Sequence, residues 1–339
     1  MKEKIFFAFT WCSVLLTFSL VGCKPEKPAE NTEKNDLIQD QALSYLDSMI
    51  QANPRNADLY YDRSLYLSQH NNLPKAVSDI YSALQLDSAK VEYYYLGADL
   101  FVEMGEGSKA VALISKAINN FPKNEELYLR AVEYNYYMKS YESALNFCND
   151  LLELNAYNAD AYFLKGMIYK ELKQENKAIS SFQTCVEVDP SFYNAYMQLG
   201  LIYSKNKNDQ AIQYFENASK LADNQREALY AIAYHFQSKK EFSKAIKEYK
   251  NMLSIDPKDH EVFYNIGYCY IDLDSLDKAY KHFDMALKLQ PQYTGAYYMK
   301  GYVSELVGNK KEALENYQQA LKLLPNDSTI LAALQRVQP

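Results

Sequence analysis

A chain of 339 residues suffices for two average domains or one elongated one, and 48% apolar with 23% charged residues excludes wholesale disorder. Ten glycines and ten prolines are few for this length, which argues for helices and against a many-turned all-β fold. The net charge of −7 and the lack of any basic run exclude the clustered positive surface that nucleic acid requires.

The first element is an address. "MKEKIFFAFTWCSVLLTFSLVGC" carries two lysines, an apolar run from Ile5 to Val21, and then Gly22-Cys23. A charged start, an apolar middle and a small residue before a cut site form an export signal over residues 1–22. The alternative is a retained anchor, since the run is just long enough to span a bilayer. "LVGC" resembles the lipobox of bacterial lipoproteins, which favours the signal. That resemblance implies cleavage before Cys23, a lipid such as palmitate on Cys23, and attachment to the bacterial cell envelope. With Lys24 where an aspartate would retain the protein, it points to the outer membrane, facing periplasm or surface. Residues 23–36 follow without apolar periodicity. They read as a flexible tether reaching at most about 40 Å.

Residues 37–54 then carry one amphipathic helix, with Asp36 and Gln39 at capping-box spacing. From here the chain repeats itself. Alanine recurs at Ala42, Ala76, Ala110, Ala144, Ala178, Ala211, Ala245, Ala279 and Ala313, every step being 34 residues except one of 33. Four residues after each comes a large apolar side chain or a thiol, such as Ile80, Cys148, Phe182 or Tyr317. Prolines such as Pro54, Pro122, Pro190 and Pro257 stand twelve after the alanine. Upstream of every alanine but the first lies a second amphipathic stretch with its own small slot: Ser64, Ala98, Val132, Gly166, Gly200, Ala233, Gly267 and Gly301. An aromatic or leucine precedes that slot by four.

This order of residues resembles the tetratricopeptide repeat (TPR), a 34-residue helix–turn–helix. The resemblance implies an all-α chain, a right-handed TPR α-solenoid of about eight repeats over residues 57–325. The helix at 37–54 and a last one at 326–339 would be its terminal caps. Gly166 is expected where two helices cross closely, facing a neighbouring alanine slot. Val132 fits that slot least well, so the third repeat is expected to be looser. The 33-residue step, in "YSKNKNDQA", is expected to shorten one turn and change the pitch locally.

The resemblance also implies that the first helix of each repeat lines a concave face. Its inward residues are those following the aromatic slot and those following the small slot. They give Tyr61, Tyr95, Phe163, Tyr230, Tyr264 and Tyr298 in one row, and Asp99, Glu133, Met167, Tyr234, Tyr268 and Tyr302 in the other. Leu129 and Met197 complete the first row, Leu65 and Leu201 the second. Tyrosines offer large rigid contact area with a hydroxyl, which suits a groove for a protein or peptide partner. The alternative is that those rings pack against the next helix and leave little free surface. Glu92, Asp99, Glu103, Glu126 and Glu133, clustered in the second and third repeats, favour a partner carrying basic residues. The positions that hold a lysine/asparagine clamp for C-terminal carboxylates in some relatives hold Tyr61, Leu65, Tyr95 and Asp99 instead, which argues against a carboxylate tail.

Nothing in the sequence points to catalysis, a cofactor or a metal. Cys148, Cys185 and Cys269 lack metal spacing. Cys148 and Cys185 read as buried free thiols, or as a disulfide in an oxidising compartment. His70, His235, His260 and His282 are scattered, and no phosphate loop, dinucleotide fingerprint or nucleophile elbow occurs. The expectation is a membrane-anchored scaffold or adaptor. The rival is a glycan- or peptidoglycan-binding lipoprotein whose tyrosines stack on sugars.

Overall fold

The computed structural model describes residues 30–222 and 225–338, so the expected signal peptide and Cys23 lie outside the described residues. Eighteen helices and no strand occur among the described residues. The first helix, α1, runs Glu30–Ala52. It therefore takes in residues 30–36, which the sequence reading gave to the tether, and Asp36 sits inside it rather than at its cap. The reason is local: after Pro28 no proline or glycine interrupts the chain until Pro54.

Eight helix pairs follow. They are α2 (Ala57–Gln69) with α3 (Leu73–Leu86), α4 (Val91–Glu103) with α5 (Gly107–Asn120), α6 (Glu125–Tyr137) with α7 (Tyr141–Leu154), and α8 (Ala159–Glu171) with α9 (Glu175–Val188). Then come α10 (Tyr193–Lys205) with α11 (Gln210–Leu221), α12 (Arg226–Ser238) with α13 (Phe242–Ile255), α14 (His260–Asp272) with α15 (Leu276–Leu289), and α16 (Thr294–Leu306) with α17 (Lys310–Leu323). A last helix, α18, spans Ser328–Val337 and packs on α17 through Ile330, Ala333, Leu334 and Val337. The chain is thus the all-helical succession of helix–turn–helix repeats that the 34-residue period predicts. It divides into two compact units, one ending at Leu96 and one beginning at Gly97, both within α4.

The repeating alanines explain the pairing. Ala76, Ala110, Ala144, Ala178, Ala211, Ala245, Ala279 and Ala313 are all fully buried, each on the second helix of its pair. Each turn inside a pair reverses on one left-handed residue: Asn71, Gly105, Lys139, Lys173, Lys207, Lys240, Asp274 and Gly308. The next residue then donates its N–H to the carbonyl five back, as Gln174 does to Tyr169 at 2.9 Å and Asn309 to Ser304 at 2.9 Å. This is a Schellman motif, which closes orphan carbonyls at a helix end. Turns between pairs are held differently. The Tyr60 hydroxyl donates to the Pro54 carbonyl at 3.1 Å, and Tyr128 repeats the bond to Pro122 at 3.1 Å.

The glycine slot corrects one expectation. A Cβ on Gly166 would lie 2.6 Å from the Phe182 ring, and on Gly200 2.4 Å from Phe215. Gly267 and Gly301 stand against Phe283 and Tyr317 at 2.8 Å each. Each glycine therefore makes room first for the aromatic ring four residues beyond the alanine, and at Gly301 the Ala313 carbonyl is close as well, 3.3 Å from where a Cβ would stand. In the third repeat the valine is accommodated by a smaller neighbour. Val132 and Cys148 are both fully buried in one cluster, the larger residue at the slot meeting the smaller one opposite. Ala233 with Tyr249 is the exception to this trade in volume, since both are fully buried in one cluster without a glycine.

The short repeat differs from expectation too. Lys207 keeps its left-handed turn, so the missing residue is lost beyond it, where α11 has 12 residues and the other second helices have 14. His235, from α12, is wholly buried beside this shortened end. Its Nδ1 lies 3.0 Å from Ser204 Oγ and its Nε2 3.0 Å from Asp209 Oδ1, so both ring nitrogens are satisfied.

Candidate functional site

Each first helix alternates faces so that residues four apart share one side. In the second unit, the two expected rows fall on α6, α8, α10, α12, α14 and α16, with Asp99 on α4. The structure separates them.

The first row is packing. Phe163 sits 5.7 Å from Phe182 and 5.0 Å from Phe192, ring centre to ring centre. Tyr230 lies 5.8 Å from Tyr249, Tyr264 lies 5.6 Å from Phe283 and 5.1 Å from Tyr293, and Tyr298 lies 5.6 Å from Tyr317. Met197 is buried and Leu129 half-buried. The Tyr230 hydroxyl also accepts from Asn265 Nδ2 at 3.0 Å, tying α12 to α14. Burial raises the pKa of Tyr230 and of Tyr264. These rings brace adjoining elements, which is the alternative the tyrosine content left open.

The second row remains accessible over much of its length. Tyr234 is 53% exposed, Leu201 45% and Tyr268 40%. Tyr302 is half-buried. Met167 turns partly into the core around Phe182. At the other end, Asp99 is exposed but committed, accepting from Arg130 Nη1 at 2.7 Å and from the Tyr134 hydroxyl at 2.6 Å. Glu133 is exposed, and its carboxyl is raised above the ordinary range, first by desolvation and then by Glu126.

In the first unit, Tyr61 is half-buried, its ring 5.2 Å from that of Tyr93, and Tyr95 is half-buried on α4. Leu65 is exposed. Burial and then Glu92 raise the pKa of Tyr61.

Sequence reading missed the ion pairs that trim the acidic surface. Arg130 joins Glu126 and Asp99, and Arg226 joins Asp259 at 2.7 Å as well as Glu261. Burial opposes ionisation of Asp259, but Arg226 and the amides of Val262 and Glu261 outweigh it and hold its carboxyl below the ordinary range. The signal was present: Asp99 with Arg130 and Arg226 with Asp259 are opposite charges about one repeat apart.

The thiols are resolved as free. Cys148, Cys185 and Cys269 are buried and unbridged, and burial pushes each to about 12. Such thiols are inert at neutral pH. Among the described residues no cluster of His, Cys, Asp or Glu is placed to hold a metal ion.

Known proteins place the repeats in a class. Tetratricopeptide repeat models match residues 159–192, 203–260, 260–293 and 295–327, and these segments carry tetratricopeptide repeats. The C-terminal part of a TPR repeat-containing protein from Cytophaga hutchinsonii superposes with a TM-score of 0.59 at 17% identity, covering 70% of this chain and 98% of that one. That likeness concerns the fold. Small glutamine-rich tetratricopeptide repeat-containing protein 2 of Saccharomyces cerevisiae is 26% identical over 93 residues, 27% of each protein. Superkiller protein 3 of Schizosaccharomyces pombe is 25% identical over 204 residues, 60% of this chain and 13% of its own length. The chain thus spans only a minor part of these curated relatives.

Proposed function

We propose that the protein is a lipid-anchored adaptor of the bacterial envelope, tethered through Cys23, whose second unit holds a protein or peptide partner. TPR repeats are a scaffold for protein–protein interaction. One observation carries the reading. Leu201, Tyr234 and Tyr268 stand exposed at equivalent positions of three successive repeats, while the neighbouring row is locked into packing. Exposed tyrosines repeated in register offer a partner large, rigid contact area with a hydroxyl.

The test separates docking from packing. Tyr234→Ala with Tyr268→Ala is expected to abolish partner capture from envelope extract while leaving the melting temperature nearly unchanged. Tyr264→Ala with Tyr298→Ala should lower the melting temperature clearly, because those rings pack on Phe283 and Tyr317. Retained capture by the first double variant would remove the docking role. Binding on a glycan array that the same variant loses would favour the sugar-binding alternative. The anchor is tested by Cys23→Ala, which should move the protein into the soluble fraction. Unchanged membrane association would favour a retained apolar segment.

A further inference from the structure

We propose that the edge formed by the turns of the third to sixth repeats lies against an anionic lipid surface, through Lys139, Lys173, Lys207 and Lys240. This contact is separate from the lipid on Cys23 and from the docking row, and depends on neither. The four lysines occupy the left-handed residue of four successive turns, with φ between 54° and 62°. That region of backbone space crowds a Cβ, so glycine, asparagine and aspartate fill it at least cost. The other four turns obey the rule with Asn71, Gly105, Asp274 and Gly308. Lysine at four consecutive repeats is therefore not explained by the turn itself.

All four side chains are exposed, and among the described residues none makes an ion pair or a side-chain hydrogen bond. Their neighbours do. Lys205 pairs with Glu175, Lys239 with Asp209 and Glu241, and Lys244 with Glu241, so those carboxylates are already neutralised. Across residues 137–142, 170–177, 204–209 and 237–244 nine lysines stand against five carboxylates, on a chain whose overall charge is −7. A second observation points to lipid. Tyr137 and Leu172 stand exposed on the same turns as Lys139 and Lys173. Unpaired ammonium groups beside exposed aromatic and aliphatic side chains match a bilayer interface, where apolar groups enter the headgroup boundary and cations meet lipid phosphates. One free charge per repeat, with no arginine on these turns, is too sparse to track a nucleic-acid backbone. The row ends in the seventh repeat, where Asp272, Asp274 and Asp277 reverse the sign of the edge.

The experiment uses the chain from Lys24 onward, which keeps every described helix and lacks the apolar run. It is sedimented with vesicles of mixed phosphatidylglycerol and phosphatidylcholine, and with vesicles of phosphatidylcholine alone. Binding is expected to the anionic vesicles only, and should fall as salt rises. Lys139→Asn, Lys173→Asn, Lys207→Asn and Lys240→Asn together should weaken it by roughly fivefold for each lysine removed. Asparagine tolerates the left-handed backbone, so an unchanged melting temperature serves as the folding control. Arginine at all four positions should keep the binding. Tyr137→Ser with Leu172→Ser should weaken it without altering its salt dependence. Equal binding to both kinds of vesicle, or full binding by the asparagine variant, overturns the proposal. Binding to a single-stranded oligonucleotide but not to the anionic vesicles overturns it as well.

Discussion

Gly200→Val is expected to destabilise the fifth repeat by about 3 kcal/mol or more, at the upper end of what overpacking a buried slot costs. Even a single Cβ at this position would sit 2.4 Å from the Phe215 ring, and the ring is fully buried with Ala211 and Ala218 in one cluster. Valine adds two further methyl groups to that collision. The chain supplies its own remedy, because Val132 faces a thiol rather than a ring in the third repeat. Phe215→Cys alone should also cost about 3 kcal/mol, through the cavity it opens. The pair Gly200→Val with Phe215→Cys should recover more than half of the summed loss. Urea melts of the four proteins measure that coupling directly. A Gly200→Val protein that melts like the parent would show that the close approach at this slot is not required.

The same comparison shows what sequence could and could not reveal. Alanine at 34-residue steps fixes which helix faces are buried, because a methyl group in that register admits a close neighbour and a charge does not. The partner of the small slot was harder to read. Gly166 and Ala178 share a period, but only the crossing of α8 over α9 shows that the glycine clears Phe182. Likewise a period of four places Tyr264 and Tyr268 on one side of α14, yet one turn of helix separates a packed ring from an exposed one. Tyr264 meets Phe283 and Tyr293, whereas Tyr268 stays 40% exposed. That difference depends on the angle between neighbouring helices, which no spacing within one repeat encodes. His235 shows the same limit. It looked like a stray histidine because Ser204 and Asp209 belong to the preceding pair.

In the first unit, Arg63→Leu should cost about 3 kcal/mol, close to the loss expected when a buried ion pair loses one partner. The guanidinium on α2 links three helices. Its Nε donates to Asp79 Oδ2 at 2.7 Å and its Nη2 to Asp79 Oδ1 at 2.6 Å, while Nη1 reaches Asp47 Oδ1 on α1 at 2.6 Å. The Asp79 side chain is only 7% exposed, so removing Arg63 strands a largely desolvated carboxylate. Asp47 is 46% exposed and stays hydrated, so its share of the loss is small. Arg63→Lys should recover little, since an ammonium cannot reproduce the two parallel bonds to Asp79 or span to Asp47 at the same time. Arg63→Leu with Asp79→Leu should recover most of the stability by replacing the ion pair with apolar contact. Chemical denaturation of the three variants checks the ordering. If Arg63→Leu alone proved as stable as the double variant, Asp79 would have another route to solvent, and α1 would not depend on this arginine for its place against α2.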